Sequence, residues 1–201
     1  MRSKVSARAR FIKTVVSVKD LPDPDKPEIA LLGRSNAGKS SLINAMFQTR
    51  VAKTSQTPGK TRALNFFDVA DKYRLVDMPG YGFAKVSGKE IRSWQKLIED
   101  YLVDREALAG MALIMDIRRK WSDDEQMLAD FAERLGKPMI VVLNKMDKAK
   151  QSEKVLRVRE VSAQPGVTAV HMTSCLNRVG TKELEDLLYS TMVSPFVRRP
   201  S

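Results

Sequence analysis

Short apolar runs alternate with amphipathic segments along this chain. Residues 28–32 form a mostly apolar run of strand length that begins with Glu28, and residues 39–47 place apolar side chains at the spacing of one helical face. The same patterns predict further strands at 63–69, 73–76, 111–115, 139–143 and 167–172, and further helices at 91–102, 122–135, 152–161 and 181–192. Alternating strands and helices predict an α/β fold with a mostly parallel six-stranded sheet and helices on both faces.

Two of the helices have more detailed signals. Ser122 followed by Glu125 has the form of a capping box, and Gly136 is a stop signal, so a helix is expected between them. This helix is expected to carry the apolar residues Met127, Leu128, Phe131 and Leu135. The last helix is expected to turn Leu184, Leu187 and Leu188 inward.

A proline-rich stretch at 21–27 separates a basic N-terminal segment from the rest of the chain. We expect a basic arm at 1–26, one domain at 27–193 and a basic tail at 194–201. A mitochondrial transit peptide is the alternative for the arm, although Phe11, Val15, Val16 and Val18 indicate the start of folded structure. No apolar run approaches the roughly 20 residues of a bilayer-spanning helix, so no membrane segment is expected.

Charge and composition narrow the class of partner and metal. The 201-residue chain has a formal net charge of +11, which favours a polyanionic partner such as RNA; a solvated surface that aids solubility is the alternative. Cys175 is the only cysteine and His171 the only histidine, so an internal disulfide is impossible and a soft-metal site is disfavoured. Any metal is expected to be a hard cation on oxygen ligands, and a reducing compartment is expected.

A phosphate-binding motif joins the first two predicted elements of the domain. Residues 33–40 have the pattern G-x-x-x-x-G-K-S between a strand and a helix, the context that this pattern requires. Its backbone N–H groups form an anion cradle, Lys39 adds a charge for the β- and γ-phosphates, and the Ser40 hydroxyl is expected to ligate Mg²⁺. The expected nucleotide-binding residues here are Gly33, Arg34, Ser35, Asn36, Ala37, Gly38, Lys39, Ser40 and Ser41. The motif indicates a nucleoside triphosphate but not its base.

The end of another predicted strand carries D-x-x-G, formed by Asp77 and Gly80 with Pro79 between them. Asp77 is expected to hold Mg²⁺ through water. The Gly80 N–H is expected to reach the γ-phosphate, so that hydrolysis releases the loop. Asp77, Pro79 and Gly80 are expected in the nucleotide site.

The base is indicated by N-K-x-D at residues 144–147, directly after an apolar strand. The Asp147 carboxylate can accept hydrogen bonds from two donors on the guanine edge, whereas adenine offers neither there. Asn144 is expected to bind the guanine edge and to brace the phosphate loop, and the stem of Lys145 is expected to cover the base. Thr173, Ser174 and Cys175 follow the last strand and suit a loop whose backbone contacts the guanine oxygen.

These motifs, in this order and spacing, resemble the branch of P-loop GTPases that contains TrmE, Era and EngA, and above all the EngB (YihA/YsxC) family of ribosome-biogenesis GTPases. The resemblance covers about residues 11–188 and rests on residues 33–44, 57–61, 77–82 and 115–118. It implies a G domain: a monomeric bacterial cytoplasmic GTPase that binds GTP or GDP with Mg²⁺. It also implies a role in assembling the large ribosomal subunit, with a link to cell division.

The resemblance implies further site residues. Gly59, Lys60 and Thr61 belong to its first switch loop, where Thr61 contacts Mg²⁺ and the γ-phosphate; Thr54 and Thr57 are the alternatives. The expected catalytic residues are Lys39, Thr61 and Gly80.

The resemblance also concerns a candidate cation site at one position and packing on the base at another. Asn36 matches the asparagine that helps bind K⁺ beside the phosphates in TrmE-like relatives; a loop residue that braces the turn is the alternative. Leu176 departs from the wider pattern, since many members have lysine there, and weaker packing on the base is expected.

Tyr81 stands where many small GTPases place a water-orienting glutamine, so slow intrinsic turnover, at or below about 10⁻⁴ to 10⁻³ s⁻¹, is expected. A partner or a cation would complete the site. The basic residues near the two ends are expected to contact rRNA phosphates: Arg2, Lys4, Arg8, Arg10, Lys13, Arg198 and Arg199. The other expected basic surface is the turn that carries Asp116, Arg118, Arg119 and Lys120, with a solvated turn as the alternative.

Three other functions remain open on these residues. A P-loop ATPase or kinase is one, and a GTP-dependent binding module without useful hydrolysis is another. A membrane-signalling GTPase is the third, disfavoured because residues 198–201 contain no cysteine for lipidation.

Overall fold

The computed structural model describes residues 9–52, 63–81 and 99–198 of the chain. Its strands are β1 Ala9–Val15, β2 Glu28–Leu32, β3 Leu64–Val69, β4 Tyr73–Asp77, β5 Leu108–Asp116, β6 Met139–Asn144 and β7 Ala169–Met172. Its helices are α1 Lys39–Phe47, α2 Asp123–Arg134, α3 Gln151–Ser162, α4 Thr181–Leu188 and α5 Ser194–Val197, and residues 99–104 are also helical. No helix in these ranges is both long and apolar enough to cross a bilayer.

The strands form one sheet in the order β1-β3-β4-β2-β5-β6-β7. Strands β4, β2, β5, β6 and β7 pair in parallel, while β3 is antiparallel to both β1 and β4. The predicted α/β fold with a mostly parallel sheet is confirmed. The predicted bounds of β2 and α1 match those in the structure, and β5 extends beyond its predicted run of 111–115 at both ends.

The predicted count of six strands is wrong, because the described residues contain seven. The additional strand is β1, which lies within the stretch 1–26 that was expected to be a basic arm. This edge strand is largely accessible, with only Ala9 and Val15 buried, and its pairing with β3 is irregular between Phe11 and Lys13. A half-exposed, bulged edge strand lacks the clean apolar alternation by which strands are recognised.

The two faces of the sheet carry separate apolar cores. On β2, Ile29 and Leu31 belong to one core, while Ala30 and Leu32 belong to the other. Helices α1 and α4 pack on the first face, and residues 99–104, α2 and α3 contribute to the second. Helices therefore cover both faces, as buried parallel strands require.

Helix α2 buries small residues more fully than its large apolar ones. Its buried residues are Glu125, Ala129 and Ala132, whereas Met127 is 61% exposed. Leu128, Phe131 and Leu135 are partly buried and pack against the core of the second face.

The cap of α2 also differs from the predicted capping box. Ser122 is the N-cap, but its side chain makes no capping bond to the backbone and instead donates to the Glu125 carboxylate. Glu125 is held by partners outside the helix, as described below.

The C-terminal helix continues beyond its predicted end at residue 192. Helix α4 passes into a π-helical turn, Tyr189–Val193, and then into α5. Pro195 lies in α5 directly after the π-helical turn, and because it has no N–H it cannot donate to a carbonyl of that turn. Part of the expected tail at 194–201 is therefore helical.

Candidate functional site

The predicted motifs meet at the carboxyl ends of adjacent parallel strands. The phosphate-loop motif follows β2, Asp77 ends β4 and Asn144 ends β6. Thr173 follows β7 directly. In open α/β sheets this edge is where ligands bind, so the topology brings the phosphate, metal and base residues together.

The phosphate loop is held by close backbone approaches. Gly38 has φ +103° and leads into α1, and a Cβ there would lie 2.4 Å from Asn144 Nδ2. A Cβ on Gly33 would lie 2.4 Å from the Ile114 carbonyl oxygen. A side chain at either position would displace the loop, so the motif's two glycines are required by packing as well as by backbone angle.

Lys39 lies inside this loop. Its ammonium group donates to the Gly33 carbonyl at 3.1 Å, and the residue is 9% exposed. Burial lowers the pKa of Lys39, and the nearby Asp77 carboxylate opposes that shift. A buried cation whose hydrogen bonds are only partly satisfied is suited to meet phosphate oxygens.

Ser40 and Asp77 form an oxygen-rich corner beside Lys39. The Ser40 hydroxyl donates to Asp77 Oδ2 at 2.7 Å, while the buried Asp77 Oδ1 has no hydrogen-bond partner among the described residues. Burial raises the pKa of Asp77 against the opposing effects of Lys39 and Ser40. An unpaired buried carboxylate oxygen next to a hydroxyl fits a hard cation such as Mg²⁺.

The described residues offer few protein ligands for such a cation beyond Ser40 and Asp77. Within the described ranges no three His, Cys, Asp or Glu side chains are grouped as a metal site. Mg²⁺ commonly binds through one or two protein oxygens, with water and substrate phosphates completing its shell.

Gly80 packs directly on the phosphate loop. A Cβ at Gly80 would lie 2.6 Å from Ser35 Oγ and 2.7 Å from Ser35 N. The adjacent residue, Tyr81, forms a parallel β-bridge with Arg34. The end of the D-x-x-G segment is thus in contact with the loop that is expected to hold the phosphates.

Asn144 and Lys145 tie the base corner to the phosphate loop. Asn144 is 1% exposed, and its amide donates to the Ala37 carbonyl at 3.0 Å. Asn144 Oδ1 accepts from Thr173 Oγ1 at 3.2 Å and from Cys175 Sγ at 3.3 Å. Asn144 therefore braces the phosphate loop, as expected from its motif, and also anchors the 173–175 loop.

Asp147 lies at the open end of this corner. Its Oδ1 accepts a 2.6 Å hydrogen bond from the Ser174 hydroxyl. That bond is the main reason that the pKa of Asp147 lies below its ordinary value, so the carboxylate is ionised at neutral pH. Leu176 is 75% exposed, so it makes little contact with the rest of the chain.

Cys175 lies half-buried at the base corner. Burial raises the pKa of its thiol to about 11, with the Asn144 hydrogen bond opposing that shift. The thiol is therefore protonated at neutral pH, and it acts as a weak donor to Asn144.

Asn36 has φ +65°, a region that asparagine tolerates better than most residues. Its carbonyl accepts from Lys145 Nζ at 2.8 Å. Its expected role as a K⁺ ligand stays a prediction. Thr54, Thr57, Gly59, Lys60 and Thr61 lie outside the described residues, so their expected roles also stay predictions.

Sequence reasoning missed two groups of contacts at this site. Asp116, considered only as part of an exposed turn, is 8% exposed and pairs with Lys145. Arg34 turns its side chain towards α2, where it contacts Asp124 and Glu125. Arg34, Asp116, Glu125 and Lys145 border a cavity of about 420 Å³. The sequence signal for the Arg34 contacts is Glu125, three residues after Ser122, but this spacing also fits a helix cap.

Comparisons with known proteins agree with this geometry. A family model described as a 50S ribosome-binding GTPase matches residues 28–145. A probable GTP-binding protein EngB of Bdellovibrio bacteriovorus is 50% identical over 184 residues, which cover 92% of each chain. The protein of the same name from Thermotoga maritima is 43% identical over 89% of this chain and 93% of its own.

Solved structures share the fold. The crystal structure of a probable GTP-binding protein engB aligns with a TM-score of 0.69 at 21% identity, covering 86% of this chain and 100% of that one. Era in complex with MgGDPNP and nucleotides of 16S ribosomal RNA aligns with a TM-score of 0.68 at 26% identity, covering 83% and 56%.

Proposed function

The chain belongs to the EngB family of P-loop GTPases, and from that premise we propose that it is a GTP-driven switch in assembly of the large ribosomal subunit. One observation carries the proposal. The phosphate, metal and base residues lie at one sheet edge, in a chain whose family model is described as a 50S ribosome-binding GTPase. A link to cell division and a monomeric, cytoplasmic protein are further parts of the proposal.

In this proposal Lys39 and the loop N–H groups bind the β- and γ-phosphates, and Ser40 and Asp77 hold Mg²⁺. The metal would neutralise charge on the phosphates when bound. Asp77 Oδ1 is buried and has no hydrogen-bond partner among the described residues, and the Ser40 hydroxyl lies 2.7 Å from the other oxygen of this carboxylate, so the two side chains would hold the metal together. The Gly80 N–H would contact the γ-phosphate. Loss of the γ-phosphate on hydrolysis would then change the conformation of the D-x-x-G segment.

Guanine specificity rests on Asp147. Its ionised carboxylate is oriented by Ser174 and lies next to the braced 173–175 loop. Two charge-assisted hydrogen bonds would raise the affinity for guanine, whereas adenine would leave the Asp147 carboxylate unpaired.

Slow hydrolysis without a partner follows from Tyr81. Its hydroxyl donates to Glu125 at 2.8 Å, so it is directed to α2 and is not free to orient water. We propose that the ribosomal particle, or a K⁺ ion bound beside Asn36, supplies the missing stabilisation. Equal GTPase rates in K⁺ and Na⁺, with ribosomal particles present, would exclude the ion.

The proposed partner surface is basic. Arg118, Arg119 and Lys120 are exposed at the end of β5, next to the nucleotide site, and Arg10 is exposed on β1. Such side chains bind rRNA phosphates independently of sequence, with an affinity that falls as salt rises. The expected basic arm and tail would add to this surface.

Co-sedimentation with purified ribosomal subunits tests the proposal. We expect binding to the large subunit or its precursor with a non-hydrolysable GTP analogue, weaker binding with GDP, and loss of binding as salt rises. Equal binding in both nucleotide states, or binding only to the small subunit, would contradict it.

The engaged hydroxyl of Tyr81 also favours a second candidate, a GTP-dependent binding module that gains nothing from hydrolysis. Single-turnover hydrolysis with and without large subunits separates the two. Stimulation by the subunit supports the switch, whereas an unchanged rate supports the binding module.

A further inference from the structure

Arg34, Tyr81 and Glu125 form a three-residue cluster, here called the clamp, that joins three elements of the site. Arg34 belongs to the phosphate loop, Tyr81 follows the D-x-x-G segment, and Glu125 lies in the first turn of α2. The cluster therefore links the phosphate loop directly to Gly80.

Glu125 is the hub of the clamp. Its Oε1 accepts from the Tyr81 hydroxyl at 2.8 Å and from Arg34 Nε at 3.1 Å, while its Oε2 accepts from Ser122. Glu125 is 3% exposed, so its charge is compensated by these contacts rather than by bulk water. The Arg34 guanidinium also lies over the Tyr81 ring, 5.6 Å from its centroid.

The protonation states favour these contacts at neutral pH. Burial opposes ionisation of Glu125, but hydrogen bonds from Ser122, Tyr81 and Arg34 outweigh it and lower its pKa. Burial and the Glu125 charge raise the pKa of Tyr81 well above its ordinary value. A protonated phenol thus donates to a carboxylate, which makes a charge-assisted hydrogen bond.

The clamp lies beside the contact between Gly80 and the phosphate loop. The backbones of Arg34 and Tyr81 are already joined by a β-bridge, and Gly80 lies against Ser35 so closely that a Cβ there would approach within 2.6 Å. A γ-phosphate bound by the loop and by the Gly80 N–H would meet both segments at this contact. A diphosphate lacks that group and would not depend on their separation.

We propose that Glu125 is a positioning residue for the triphosphate: by holding Tyr81 and Arg34 together it fixes Gly80 at the distance from the phosphate loop that the γ-phosphate requires. The side chain of Arg34 then has a structural task and does not itself face the phosphates. This inference rests on the proposed use of the Gly80 N–H in binding GTP. Preorganised contacts raise affinity because less ordering is needed when the ligand binds.

The test compares Tyr81→Phe and Glu125→Gln with the wild-type chain by calorimetric titration, using GDP and a non-hydrolysable GTP analogue with Mg²⁺. Tyr81→Phe removes one oxygen and keeps the ring against Arg34, so it offers a fold-preserving variant. We expect its affinity for the analogue to fall about tenfold, as for loss of a hydrogen bond to a charged group, while its affinity for GDP stays within about twofold. The double variant should lose no more than the larger single effect, because both changes break one clamp.

The chain offers a matched control at the other end of β2. Tyr101 donates to Glu28 at 3.0 Å, and Glu28 is also paired with Arg105, so Tyr101→Phe breaks a similar tyrosine–glutamate bond away from the site. We expect this variant to lower thermal stability without changing the ratio of the two nucleotide affinities. If the clamp were purely structural, Tyr81→Phe would likewise lower thermal stability and leave the ratio of the two nucleotide affinities unchanged.

The inference is overturned by an unchanged affinity ratio in Tyr81→Phe, by equal losses for both nucleotides, or by a gain in affinity for the analogue. Additive losses in the double variant would also overturn it. Those results would leave the proposed function intact. A wild-type chain that binds neither nucleotide would instead overturn both.

Discussion

Lys145 Nζ lies 3.2 Å from Asp116 Oδ2, so the last residue of β5 holds the lysine of the guanine motif. The same ammonium group donates to the Asn36 carbonyl in the phosphate loop. Burial opposes ionisation of Asp116, but hydrogen bonds from Arg118 and Lys145 hold its pKa well below the ordinary value. The carboxylate therefore fixes the stem of Lys145 where the base would stack.

Replacing Asp116 by asparagine should weaken GDP and GTP equally. The lost attraction involves a partly exposed pair, so we expect about 0.5–1 kcal/mol, or roughly two- to fivefold in Kd. Titration calorimetry with each nucleotide measures it. Arg118→Ala is the control, since it removes the outer partner of Asp116 and should leave both affinities near wild type. A selective loss of GTP would contradict this role.

Asp147→Ala should remove the preference for guanine. Adenine and guanine would then both meet an apolar side chain, so the discrimination, on the order of 10⁴-fold, should nearly disappear. Displacement of a fluorescent GDP by GTP and by ATP measures the preference. Lys148→Ala is the control. It removes an exposed lysine whose ammonium group lies 3.6 Å from the same carboxylate, and it should keep the preference for guanine. A preserved preference in Asp147→Ala would mean that another group selects the base.

Ser40→Ala should abolish the effect of Mg²⁺ on nucleotide affinity. The variant lacks the hydroxyl that lies beside Asp77, so the metal loses one of its proposed oxygen ligands. The measurement is the ratio of GTP affinities with Mg²⁺ and with EDTA. Ser190→Ala removes a hydroxyl that donates to the Leu187 carbonyl, away from the proposed metal site, and should keep the wild-type ratio. An undiminished Mg²⁺ effect in Ser40→Ala would reject the proposed metal site.

The thiol of Cys175 should react slowly with iodoacetamide. Its pKa is raised from 9.0 to about 11, so the folded chain has about a hundredfold less thiolate near pH 8 than an ordinary cysteine. The rate should rise with pH until about 11. The stabilising effect of keeping this thiol protonated is fully present below pH 9 and is lost as the pH rises towards 11.

Mass spectrometry follows the reaction without ambiguity, because the chain has one cysteine. The chain unfolded in guanidinium is the control and should react as a free thiol. Equal rates in folded and unfolded chain would show that Cys175 is not shielded.

Arg105→Met should lower the free energy of unfolding by about 3 kcal/mol, because it leaves the buried Glu28 carboxylate short of a partner. Denaturation in urea measures this loss, and adding Glu28→Gln should recover part of it. Lys182→Ala is the control, since it breaks an exposed pair with Asp186 and should cost about 0.5 kcal/mol or less. Similar losses in the two variants would contradict the importance of burial.

The central part of the fold was predictable from sequence because its signals are local. The strand β2, the glycines of the loop and the helix α1 follow one another within twenty residues, and each has a pattern that depends only on its neighbours in the chain. The edge strand β1 was missed, since its residues are mostly accessible and its partner β3 is distant in sequence.

The site also contains features that were predictable from sequence and features that were not. The residue types of the phosphate, metal and base motifs, and their order, were determined by the sequence alone, because each motif is a short segment at the end of one strand. The clamp and the Asp116–Lys145 pair were decided only by the tertiary structure. Glu125 lies 91 residues from Arg34 and 44 from Tyr81, and its pattern with Ser122 is equally consistent with a simple helix cap. Which partner a buried carboxylate selects depends on what the folded sheet brings beside it, and that information is absent from local spacing.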